Sequence, residues 1–203
     1  MIRQKLIAYA VRCIGLALCL SVVAAPATGQ TEAAKPQEQQ TAKQLRVFKE
    51  FADLVQQYVD LHRKLEASLP ALGPKEPQEK IVERQKALSG RIKEARATAK
   101  RGDIFAPEIA EEFRHLIRKE LQGPKGSNSR KTIRDGEPIK PRRLRVNDLY
   151  PEALPTTTMP PSLLLNLPQL PKEVEYRIVG RDWVLLDIEA NLIVDFIHEA
   201  LPK

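Results

Sequence analysis

The sequence predicts an α+β protein: a long antiparallel helical hairpin plus a third helix, a Pro-rich connecting segment, and a small C-terminal antiparallel β-meander. Three observations predict it. Apolar residues recur at three- and four-residue spacing between Leu45 and Ala99, the period of a helix buried on one face. Prolines then punctuate residues 123–172 so densely that no long regular element fits. Three short runs rich in β-branched residues follow, separated by turn-forming residues.

The chain opens with a different kind of segment. Arg3, Lys5 and Arg12 give a positive start, and Cys13 to Ala25 then runs without a charge. That run is too short to span a bilayer and has the length of a signal-peptide apolar region. Ala25-Pro26-Ala27 fits a cleavage site after Ala27, and Ala27-Thr28-Gly29 a site after Gly29. Residues 1–27 therefore read as a signal peptide of the general secretory type, and the expected address is periplasmic or secreted. Cys19 follows Leu16-Ala17-Leu18, where a lipoprotein signal wants a small residue at the position Leu18 holds. Both cysteines of the chain fall inside the signal, so the mature protein is expected to carry no disulfide and no thiolate. No later stretch is apolar enough to predict a membrane span.

Residues 28–42 are rich in Gln, Glu, Ala, Thr and Lys and predict a disordered tether. Residues 43–122 form the helical region. Thr41-x-x-Gln44 reads as a capping box ahead of the first helix. Leu45, Phe48, Ala52, Val55, Val59 and His62 mark its stripe, with Phe51, Leu54, Tyr58, Leu61 and Leu65 beside it. Leu69-Pro70 ends it, and Pro70, Gly73, Pro74 and Pro77 make a stiff turn. A second helix is expected from about Gln78 to Arg101, with Ile81, Gln85, Leu88, Ile92, Ala95 and Ala99 inward and Gly102 as its C-cap. Equal lengths and a short connector argue for an antiparallel hairpin. Pro107 opens a third helix. It has Glu108, Glu111 and Glu112 early, Arg114, Arg118 and Lys119 late, and Ile109, Phe113, Leu116, Ile117 and Leu121 inward.

Residues 123–172 hold too much Leu, Val and Tyr for a free linker and are expected to wrap the helices as extended chain. Within them Arg130 to Arg134 suggests a helical turn, Leu144-Arg145-Val146 a short strand and Ser162 to Leu167 a short helix. Residues 173–203 form the meander. Gly180-Arg181 is a two-residue turn that sets Ile178 opposite Trp183 and Tyr176 opposite Leu185. Glu189-Ala190-Asn191 is a second turn, with Asn191 suited to positive φ. It sets Ile188 by Leu192, Leu186 by Val194 and Val184 by Phe196. One face is then apolar and needs the helices to cover it. A C-terminal helix over 188–201 is the competing pattern.

Composition excludes some functions. The 203 residues carry 33 Lys+Arg against 26 Asp+Glu. Three of the basic residues leave with the signal, so the mature net charge is only about +4 and both signs are interspersed. That is not a nucleic-acid footprint. The densest cationic group, Lys140, Arg142, Arg143 and Arg145, reads as a solvated loop or a contact for an anionic envelope polymer or lipid. No G-x-S-x-G, S-x-x-K, Walker loop, G-x-G-x-x-G or H-E-x-x-H string is present.

The histidines are His62, His115 and His198. Glu112-x-x-His115 places two metal-ligand types on one helix face, the spacing used in carboxylate-bridged di-metal bundles. The second such motif those sites need is missing, since Asp195-x-x-His198 falls on an expected strand. His62 lies on the apolar stripe and reads as a packed, hydrogen-bonded histidine. Asp182, Asp187 and Asp195 are expected close together on the hairpins, near Arg177 and Arg181, in salt bridges and turn hydrogen bonds. Trp183 is expected to anchor the helix–sheet interface.

Two resemblances follow from these residues. The string from Glu175 through Ile197, with Val146-Asn147-Asp148 and Tyr150-Pro151 upstream, resembles an uncharacterised family of exported bacterial proteins of unknown function. The C-terminal 30 or so residues are also similar to the β-segment of periplasmic nickel/cobalt-homeostasis-type proteins, which share a Pro, a Tyr-Arg pair, a turn, an apolar strand and an Ile-Val. Neither resemblance implies a functional residue. The expected function is that of a non-enzymatic periplasmic or secreted protein-interaction or envelope protein, without a cofactor. It would bind a protein partner or itself through the helical hairpin. The alternatives are a periplasmic metal-handling protein using Glu112 and His115, and an envelope hydrolase using Asp187 and Asp195.

Overall fold

The computed structural model describes residues 34–73, 75–122, 126–127, 129–131, 133, 143–151 and 159–202. The residues read from sequence as a signal peptide, 1–27, and the Lys140–Arg142 part of the cationic group lie outside them. Helix α1 spans Ala34–Glu66, α2 Gln78–Ala95, α3 Pro107–Leu121 and the short α4 Pro161–Leu165. Strands β1 (Val174–Val179), β2 (Asp182–Asp187) and β3 (Leu192–Ile197) complete the chain in the order β1-β2-β3. The α+β class, the third helix and the meander are as the sequence predicts, and the C-terminal helix is not adopted.

Helix α1 begins well before Leu45, and residues 34–42 are helix where a tether was expected. Gln37 to Lys43 are exposed all round, so no buried stripe announces these turns in the sequence. Thr41 is consequently no cap. Its hydroxyl donates to the Gln37 carbonyl, while Gln44 donates to Glu112 across to α3. The buried stripe is Val47, Phe51, Val55, Tyr58 and His62, with Val59. It is offset from the Leu45-Phe48-Ala52 line in its first half, and Leu45 is 66% exposed.

The hairpin is antiparallel: Arg84 of α2 reaches Glu66, and Arg96 beyond its end stacks on the Tyr58 ring. Its helices are unequal, 33 and 18 residues. Helix α2 stops at Ala95 because Arg96 leaves the helical path to bury its guanidinium. That group donates to the Val194 carbonyl at 3.1 Å and to Asn147 at 3.2 Å. Gly102 is therefore not the α2 cap. It sits in the following loop at φ 93°, a conformation that suits a residue without a Cβ. Helix α3 matches its expected bounds and charge order.

The first hairpin of the sheet has the expected register, with Ile178 opposite Trp183 and Tyr176 opposite Leu185. Gly180 supplies the positive φ at its turn. The second turn is four residues, 188–191, closed by Asp187 accepting from the Ala190 N–H at 2.7 Å, with Asn191 at φ 50°. This pairs Leu192 with Asp187 rather than Ile188, and Ile193 with Leu186 rather than Val194. A bulge at Val194 then restores the expected Val184–Phe196 pair.

Both faces of β2 and β3 are buried. The helix-facing side joins Tyr176, Ile178, Trp183, Leu185, Leu192 and Ile197 to the helical core. Phe51 and Phe113 stand 5.0 Å apart there, and Tyr176 and Trp183 5.3 Å, so Trp183 anchors the interface as expected. The far side carries a second cluster of Val179, Val184, Ile193 and Phe196, covered by Leu144, Val146 and Tyr150. The Pro-rich segment thus covers the sheet here and not the helices. It forms no strand over 144–146. Instead Asn147 and Tyr150 donate to the Ile193 and Asn191 carbonyls, Ile193 donates to Asp148, and the start of the outer edge of β3 is covered. Further on, Leu163 and Leu167 of the same segment do pack with the helical core. No helix among the described residues is long and apolar enough to cross a membrane.

Candidate functional site

Three polar arrangements sit where the sheet meets the helices. The first is Asp195, fully buried on β3 beside the bulge. It accepts from the backbone N–H groups of Gly102 at 3.0 Å, Ile104 at 2.9 Å, Phe105 at 2.8 Å and Phe196 at 2.8 Å. Four donors saturate this carboxylate, and it staples the α2–α3 loop to the sheet.

The second is Asp187, fully buried at the end of β2. Tyr58 donates to it at 2.5 Å, the His62 Nδ1 lies 2.6 Å away, and the Ala190 N–H closes the turn on its other oxygen. An ionised carboxylate only accepts, so Nδ1 carries the proton and Nε2 points away from Asp187. His62 is packed and hydrogen-bonded, as the sequence predicts, but only through one nitrogen. Nε2 is buried without a hydrogen-bond partner. It faces Glu66 at 3.8 Å and Glu189 at 3.7 Å, beyond hydrogen-bonding range.

Electrostatics at this centre follow from burial and from three carboxylates. Burial pulls the His62 pKa down, but the Asp187 hydrogen bond and the charges of Asp187, Glu189 and Glu66 outweigh it, and the net direction is up. Burial, then Asp187, holds the Tyr58 hydroxyl well above its ordinary value. Arg84 organises the acids: it donates to Glu66 Oε1 at 2.9 Å, stands 3.5 Å from Glu189 Oε1, and donates to the Pro70 carbonyl at 2.8 Å. Each Glu thus keeps its other oxygen toward His62.

The third is Asp182, which accepts from the Glu199 N–H and lies 2.8 Å from the His198 Nδ1. His198 is largely exposed. The three aspartates do not form a paired-carboxylate centre: Asp187 and Asp195 each have both oxygens bonded within the fold.

The Glu112–His115 pair is not brought together as a site. Glu112 is buried and accepts from Gln44, while His115 is exposed on the same helix. The one group among the described residues whose donor atoms converge is His62, Glu66 and Glu189. Sequence reading missed Glu66, although His62-x-x-x-Glu66 is an i,i+4 pair on an expected helix. It also read Glu189 only as a turn residue.

A groove of about 440 Å³ lies elsewhere, beside β1. Leu164, Leu165, Pro168, Leu170 and Tyr176 line it, with Leu165 86% exposed. Among the described residues, no strand pairs with the outer edge of β1. No protein-family model, curated protein or solved structure matches the chain.

Proposed function

We propose that this chain is an exported, non-enzymatic protein that works outside the cytoplasm by binding a protein partner at the outer edge of β1. The observation that carries the reading is the groove of Leu164, Leu165, Pro168 and Leu170 alongside a strand edge unpaired among the described residues. An edge strand offers free N–H and C=O groups, and an adjoining apolar groove takes alternate side chains of an added strand. Exposed leucines that line one groove mark an interaction surface more than scattered ones do. The hairpin, by contrast, spends its apolar stripe on its own core, so the partner surface moves from the hairpin to the sheet. Export rests on the first 27 residues, with processing after Ala27 or Gly29.

The test places a photo-crosslinking amino acid at Leu165 and, as a control, at exposed Glu94, in the chain expressed with its signal in a Gram-negative host. Discrete adducts from position 165, with a second copy or with another envelope protein, are expected. Leu164→Glu is expected to abolish them. Adducts equal to those at the control position, or insensitive to Leu164→Glu, would sink the reading. An unprocessed mass would sink the export.

A further inference from the structure

We propose that His62, Glu66 and Glu189 form a binding site for a divalent transition-metal ion of the zinc class. The site is independent of the groove beside β1. Three features carry it: the donor atoms converge, the central donor is buried without a partner, and outer groups hold each donor in a ligating orientation.

Helix α1 supplies His62 and Glu66 one turn apart, and the β2–β3 turn brings Glu189 to them. Donor distances of 3.7 and 3.8 Å are too long for a hydrogen bond. They suit two metal bonds. Two bonds of about 2.1 Å at the tetrahedral angle put their donors roughly 3.4 Å apart, within a small side-chain adjustment of what is seen.

The His62 ring is fully buried, and its Nε2 is aimed between the two carboxylates. A buried imidazole nitrogen without a partner forfeits a hydrogen bond that the fold would otherwise gain. A salt-bridge cluster alone gives no reason for that loss, because the same side chains could close a hydrogen bond to Nε2 with a small adjustment. A ligating role does give one.

The surroundings have the build of a metal centre. Asp187 takes the Nδ1 proton and fixes the tautomer that leaves Nε2 as the ligand, the carboxylate–histidine–metal arrangement. Tyr58 in turn fixes Asp187. Arg84 occupies Oε1 of each glutamate and leaves Oε2 of each toward His62. The charges also balance: Glu66, Glu189 and Asp187 against Arg84 and a divalent cation. One imidazole with two carboxylates suits Zn²⁺, Co²⁺ or Ni²⁺ better than Ca²⁺ or Mg²⁺, which prefer all-oxygen shells. Three protein ligands leave a coordination position for water or an exchanging ligand. Solvent reaches it past the half-exposed glutamates, so the ion is accessible and not locked in.

The experiment is zinc titration of the processed chain, purified without chelator or affinity histidines, by calorimetry and native mass spectrometry. One Zn²⁺ per chain is expected, with Co²⁺ giving a visible d–d band. Glu189→Ala and Glu66→Gln alter half-exposed groups outside the core, and each is expected to weaken binding at least about tenfold while the melting temperature of the metal-free protein stays near that of the parent. Glu94→Gln on the exposed face of α2 is expected to bind as the parent does. No stoichiometric ion would overturn the proposal, as would binding that Glu66→Gln and Glu189→Ala leave unchanged.

Discussion

Asp187 and Asp195 lie on neighbouring strands of one small sheet, both fully buried and both facing the helices, yet they are held in opposite ways. Asp195 is bonded by four backbone N–H groups, three of them from the loop after α2. Asp187 is bonded mainly by side chains of α1, with a single backbone N–H. A carboxylate satisfied by main chain fixes a loop and has nothing further to offer. A carboxylate satisfied by an imidazole sets a tautomer, and so decides what the far nitrogen can do.

The comparison breaks most visibly at Asp195. Asp195→Ala leaves four N–H groups unsatisfied in the interior and is expected to cost about 3–5 kcal/mol. Urea denaturation measures it, and a loss below about 1 kcal/mol would show that water replaces the carboxylate. Asp187→Asn is expected to cost less, about 2 kcal/mol, because the amide keeps one acceptor. It should in addition weaken zinc binding roughly 10–100-fold, the usual effect of removing an outer-shell partner. Asp195→Asn, tested in parallel, should lower stability and leave zinc affinity alone. Equal effects of the two Asn variants on zinc would erase the distinction.

A third carboxylate calibrates the scale. Glu173 is nearly buried but pairs with half-exposed Arg63 at 2.8 Å, and that hydrogen bond holds its pKa below the ordinary value. A depressed acid contributes its stability above its unfolded pKa of about 4.3 and loses it as pH falls through the folded value. Glu173→Gln should therefore cost up to about 1 kcal/mol at pH 7 and progressively less below pH ~4, read from denaturation curves across pH. A constant difference down to pH 3 would mean that Glu173 acts through packing.

What was legible in the sequence followed local chemistry. Pro107, the charge order and the stripe of α3 define that helix without help from elsewhere. Gly180-Arg181 fixes the first hairpin register by itself. The misses came from distant contacts. Helix α2 ends where Arg96 finds the Val194 carbonyl and the Tyr58 ring, and neither is visible from the α2 sequence. The β2–β3 pairing depends on a bulge next to an aspartate that binds another loop. The first turns of α1 are polar all round, so their helicity leaves no apolar period. At the candidate metal centre, His62 was legible as buried and hydrogen-bonded. Its ligand set was not, because Glu189 meets α1 only after the sheet has formed.

The segment through Asn147 and Tyr150 is bonded to the start of the far edge of β3, at Asn191 and Ile193, while among the described residues no strand pairs with the outer edge of β1. A sheet whose two edges differ in this way offers unlike sides to a neighbour. An added strand is favoured at the β1 edge, because the start of the β3 edge already has its backbone groups bonded. Two copies meeting edge to edge would close on themselves as a pair. A chain built this way would, if it associates through its sheet, do so at the β1 edge before the β3 edge.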